Sequence, residues 1–179
     1  MQKVLTKKEY ELEARKLIGQ KLVVVRYYEI NYGSEDEQFE QPMWNQNPDF
    51  DSLDFGVELL FQDTNSRFLI WDIKLNCIRF DFGSQEVSTN MKMWDVSSSS
   101  RWKNYLGQDI QDIQIRWSFV QENMDLETRG CCPESLELVF EIGQVFVAAL
   151  EIFLDGSSFR LTDHLTVFFD EQIANQFLQ

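Results

Sequence analysis

The chain has 179 residues, 44% apolar and 14% aromatic, enough to bury one sizeable core. Its formal charge is -14 and its pI about 4.4, a balance that repels nucleic-acid phosphates and anionic membranes and favours cations or basic partners. No stretch approaches the ~18 consecutive apolar residues of a membrane span, and the apolar content is too high for a disordered chain.

In chain order, Thr6 and Glu9 form a capping-box pattern. The apolar spacing from Tyr10 to Ile18, closed by Gly19, predicts a helix over 7–18. KLVVVRYYEINY predicts a long strand over 21–32, rich in β-branched and aromatic residues. Residues 33–48, with Pro42 and Pro48, predict a loop, and 49–56 a lead-in with Phe50, Leu53 and Phe55 facing inward.

GVELLFQD and SRFLIWDI predict two strands around an Asp63–Ser66 turn. CIRFDF predicts a third, and 91–96 another. Ser100 is placed to cap a short helix over RWKNYL, closed by Gly107. Residues 113–119 alternate as a half-buried strand, and 123–133 form a loop. SLELVFE and QVFVAALEIF predict a tight hairpin at Ile142-Gly143, LTVFFD a last strand, and EQIANQFL a C-terminal helix with Asp170 as its N-cap.

Long crossover helices between strands are missing, which argues against a doubly wound parallel sheet. The expected architecture is a single α+β domain over 1–179, with a mainly antiparallel curved sheet of about seven to eight strands and one helix at each end. Trp71-Asp72 and Trp94-Asp95 stand 23 residues apart, too close for propeller blades of ~40–45 residues.

Motifs for chemistry are sparse. Gly-rich phosphate loops are absent. His164 is the one histidine, so a multi-histidine zinc site is impossible. It reads as a strand-edge residue satisfied by a hydrogen bond, because no nucleophile elbow accompanies it. Cys131-Cys132 has neither zinc-ligand nor CxxC redox spacing. Three cysteines give no secreted disulfide framework. The charged start, MQKVLTKKEYELEARK, lacks the apolar h-region of a signal peptide, so a cytoplasmic location is expected. Asp49, Asp51, Asp54 and Glu58 invite a calcium loop, but Leu53, Asp54 and Leu60 occupy positions where that loop needs a ligand, a glycine and a glutamate. No catalytic residue, metal site or cofactor is expected, and oligomeric state is left open.

Charge distribution is more informative. Tyr32 to Gly56 holds seven carboxylates, and Tyr27 to Ser66 ten, with no Lys or Arg. Met1 to Arg26 carries seven basic residues. An acidic surface speeds encounter with a basic protein, and Trp, Tyr and Arg are common interface anchors. Trp44 and Trp102, in irregular segments, are the tryptophans expected to be exposed. The candidate partner-binding residues are therefore Glu35, Asp36, Glu37, Phe39, Glu40, Trp44, Asp49, Asp51 and Trp102. Two alternatives stand beside this binding surface. An aromatic-lined concavity of a curved sheet could enclose a small ligand, and a hydrolase could use His164 with Asp163 and Cys131 or Cys132.

LVVVRYYEINY, DSLDFGVEL, WDVSSSSRW, LELVFEIGQVFVAALEI and TDHLTVFFDE resemble segments of small bacterial domains, some grouped with the immunity proteins of toxin–antitoxin and contact-dependent toxin systems. That resemblance implies a cytosolic, non-catalytic protein that binds and blocks a toxin, often a basic nuclease.

Overall fold

The computed structural model describes residues 6–31, 42, 44, 46–63, 66–72, 77–81, 91–118, 132–153 and 155–178. Helix α1 spans Lys7–Arg15. Its capping box forms as expected: the Thr6 side chain accepts from Glu9 N–H at 3.3 Å, and Thr6 N–H donates to Glu9 Oε2 at 2.9 Å. The α-helix ends three residues before the expected Ile18. Lys16, Leu17 and Ile18 N–H groups donate to carbonyls three residues back, a tightened last turn that carries Leu17 into the core at 1% exposure.

Ten strands follow among the described residues: β1 (Leu22–Ile30), β2 (Phe50–Leu53), β3 (Gly56–Phe61), β4 (Ser66–Asp72), β5 (Cys77–Asp81), β6 (Met91–Asp95), β7 (Asp112–Ser118), β8 (Cys132–Phe140), β9 (Gly143–Ile152) and β10 (Ser158–Phe168). Helix α2 (Glu171–Phe177) closes the order. The α+β class, the antiparallel pairing and the terminal helices match the sequence expectation. The strands, however, form two five-stranded sheets, β5-β4-β3-β1-β6 and β2-β10-β9-β8-β7, rather than one curved sheet of seven or eight.

The short β2 makes the difference. It pairs with β10 from Leu53↔Leu165 to Phe50↔Phe168, after which the chain passes through Asp54-Phe55 into β3 of the other sheet. Alternation then sends Leu53 and Asp51 toward the space between the sheets and Phe50 to the outer face. Both apolar residues are buried, as expected, but on opposite faces, and Asp51 lies on the core side.

The main core joins both sheets and α1, with Tyr10, Leu22, Tyr27, Leu59, Phe61, Trp102, Leu136, Val147 and Leu165 among its members. A second cluster fills the outer face of the β2–β10–β9 region beneath α2: Phe50, Phe146, Ala148, Leu150, Phe168, Ala174 and Leu178. β9 is therefore covered on both sides, which explains its unbroken buried run from Val145 to Leu150. The hairpin at 141–142 forms with Phe140 opposite Gly143. Asp170 caps α2, accepting from Gln172 and Ile173 N–H at 2.7 and 3.1 Å.

Residues 97–107 are a series of turns rather than a capped helix. The serine that bonds this turn is Ser99, not Ser100: its Oγ accepts from Trp102 N–H at 3.2 Å. Trp102 and Tyr105 are drawn into an aromatic cluster with Phe140 and Phe169, and Gly107 N–H bonds Leu22 C=O at 2.7 Å. These anchors fix the segment without a regular helix. No helix among the described residues is long and apolar enough to cross a membrane.

Candidate functional site

One end of the two-sheet body carries a cleft of about 550 Å³. Each wall comes from a different element. Glu29 and Ile30 end β1, and Lys92 and Trp94 lie on β6. Trp44, Asn47 and Asp49 precede β2, which adds Phe50 and Ser52. Asp54 stands at the sheet-to-sheet corner, Glu151 and Ile152 end β9 with Phe153 just beyond it, and His164 lies on β10. Ile173, Gln176 and Phe177 come from α2.

Aromatic walls alternate with charge. Among the described residues of the lining, Glu29, Asp49, Asp54 and Glu151 are the carboxylates and Lys92 is the one ammonium or guanidinium group. Two of the carboxylates have structural duties: Glu29 Oε2 accepts from Trp94 Nε1–H at 2.7 Å, and Asp54 Oδ1 from Ile30 N–H at 2.8 Å. Lys92 Nζ lies over the Trp94 ring, 4.5 Å from its centre, a cation–π contact made beside Glu29.

Behind the Trp44 wall lies a buried polar network. Asp51 is 1% exposed. Its Oδ2 accepts from the Tyr27 hydroxyl at 2.9 Å, and its Oδ1 pairs with the Arg101 guanidinium. Arg101 Nη2 also donates to Asn47 C=O at 2.7 Å, and Trp102 Nε1–H donates to Tyr27 Oη at 2.5 Å. Trp44 packs edge-on against Tyr27 at 5.2 Å, and its C=O accepts from Ser52 N–H at 3.1 Å. Arg101 and Tyr27 thus position the segment that presents Trp44 and Asn47 to the cleft. Burial pushes the Asp51 carboxyl up to about 6, against the opposing pull of Arg101 and the Tyr27 hydrogen bond. Burial and the Asp51 charge push the Tyr27 hydroxyl well above its ordinary value.

A second polar cluster lies on the opposite face of β1. Glu58, 5% exposed, accepts from Arg26 at 3.2 Å and the Tyr28 hydroxyl at 2.8 Å. Burial and Glu58 push the Tyr28 hydroxyl up to about 12. These groups satisfy one another and do not line the cleft.

Of the residues singled out from sequence, Trp44 and Asp49 line the cleft. Asp51 and Trp102 are buried at 1% and 0% exposure, Trp102 contrary to its expected exposure. Neither side chain offers a surface to a partner; they serve the network behind the wall. Glu35, Asp36, Glu37, Phe39 and Glu40 lie outside the described residues. His164 is in the cleft wall with Nδ1 3.4 Å from Asp163 Oδ1, and among the described residues no nucleophile is bonded to it. It stands in an irregular stretch of β10: Arg160 pairs with Leu150 and Leu165 with Ala149, so four residues intervene where β9 has none. Cys131 lies outside the described residues. No group of three or more His, Cys, Asp or Glu among the described residues could hold a metal ion.

Glu29, Lys92, Glu151 and Phe177 were not singled out from sequence, and Asp54 and Trp94 entered only the rejected calcium-loop and propeller readings. Only Ile173 and Phe177, four apart on α2, carried a local signal, that of a helix face. Compared with known proteins, the chain matches no family model, no curated protein and no solved structure.

Proposed function

We propose that this is a non-catalytic binding protein whose cleft receives a cationic side chain of a protein partner. The carrying observation is the cleft's own composition: among the described residues it holds four carboxylates, two tryptophan rings and a single lysine, which already sits on a ring face beside a carboxylate. Lys92 occupies the kind of place that a ligand cation would take. The overall charge of -14 supports encounter with a basic partner. An immunity role, with a basic toxin as partner, is the biological form of this proposal, and it rests on the sequence resemblance. The lack of a disulfide framework in the cysteine usage supports a cytoplasmic setting.

Calorimetric titration with an acetyl-Gly-Arg-Gly-amide peptide, against the same peptide carrying neutral citrulline, tests the reading. Binding of the arginine peptide at Kd on the order of 0.1–1 mM, with none for citrulline, is expected. Weakening on Asp49→Asn/Glu151→Gln should follow. Equal binding of the two peptides, or no binding, would refute it. A small free organic cation is the second reading, because the volume lies within the ~300–1,000 Å³ of small-molecule sites. It would be favoured if an alkyl guanidine bound as tightly as the peptide.

A further inference from the structure

The β9–β10 hairpin carries two large rings in water: Phe153 is 46% and Phe159 62% exposed. Glu151 and Phe159 are cross-strand partners, and Phe153 N–H donates to Ser157 C=O at 2.9 Å. With side chains alternating along each strand, Glu151, Phe153 and Phe159 share one face of the hairpin, the rings as diagonal neighbours within reach of each other. Glu151 and Phe153 belong to the cleft wall and Phe159 does not. The ring of Phe159 therefore extends the acidic wall outward as an apolar rim.

We infer that the hairpin face is a docking surface for a protein segment in which an arginine is flanked by a large apolar side chain, the arginine entering the cleft and the apolar group covering Phe159. This rests on the cation-binding reading of the cleft and adds the partner's local chemistry. Charge complementarity selects the occupant: an exposed ring pair astride a carboxylate fits a guanidinium with an adjacent aliphatic group better than an isolated amine or a purely apolar surface. A small free cation would leave Phe159 in water.

The test compares acetyl-Leu-Arg-Leu-amide with acetyl-Gly-Arg-Gly-amide on the full chain and on Phe159→Thr, a change suited to an exposed strand position. The leucine-flanked peptide should bind the parent about tenfold tighter than the glycine-flanked one. In Phe159→Thr that gain should vanish while the glycine-flanked peptide binds as before. Retention of the full gain in the variant, or absence of any gain in the parent, overturns the inference and leaves the cation reading standing. If neither peptide binds the parent, both fall. Sedimentation of parent and variant adds a further check: a dimer that Phe159→Thr dissociates would mean that a second copy covers the rim, and would overturn the assignment to a foreign segment.

Discussion

Asp51 is 1% exposed and shared between Tyr27 and Arg101, and its charge is desolvated more than its partners compensate. Folding raises its pKa from an ordinary 3.8 to about 6. Between those values the folded protein holds the proton more tightly than the unfolded chain. The group thus destabilises the fold in full above pH ~6, and this penalty is relieved as pH falls from about 6 to about 4, by roughly 3 kcal/mol. Asp51→Asn should remove that slope while still offering an oxygen to Tyr27. Asp51→Ala should cost about 1–3 kcal/mol, because it leaves the Tyr27 hydroxyl without its buried acceptor and the half-buried Arg101 guanidinium without its carboxylate. Urea unfolding of the three proteins across pH 4–7 separates these outcomes; an unchanged slope in Asp51→Asn would contradict them. At the cleft itself, Lys92→Met removes the resident cation from the Trp94 face. It should tighten the arginine peptide by about three- to tenfold, read by calorimetry.

At the scale of elements, both helices were legible because their signals are local: Thr6 with Glu9, and Asp170 before EQIANQF, act within one turn. β2 was not legible as a strand of the second sheet. It has four residues, and its core-facing Asp51 breaks the expected apolar pattern. The partner that makes this acid tolerable, Arg101, is fifty residues away, beyond any periodicity. The cleft was hidden for the same reason: Trp44 stood out, whereas Glu29, Trp94 and Glu151 converge only once two sheets form. α2 shows how a local signal reaches the site. It packs over Phe50 and Phe168 and presents Phe177 to the cleft. Asp170→Ala should cost about 1 kcal/mol in chemical unfolding. It should also weaken the arginine peptide, because the first turn of α2 frays and Ile173 with it.

Over the whole molecule, charge is separated along the chain. Residues 27–66 hold ten acids and no Lys or Arg, while seven basic residues lie within the first twenty-six. Association of a basic partner should therefore be steered by the acidic field, and its rate should fall as ionic strength rises, since the screening length shrinks from about 10 Å at 0.1 M to 3 Å at 1 M. Stopped-flow measurement across a salt series reads this directly; a salt-independent rate would place the binding energy elsewhere. The central claim is that the cleft bounded by Trp44 and Trp94 is where a cation binds. Proton–nitrogen NMR of the indole N–H groups during titration with the acetyl-Gly-Arg-Gly-amide peptide tests it most directly. Saturable shifts of the Trp44 and Trp94 indole signals, with the buried Trp102 signal unmoved, are what the account expects. Shifts confined to Trp117 beside α1, or no saturable shift at either cleft tryptophan, would contradict it.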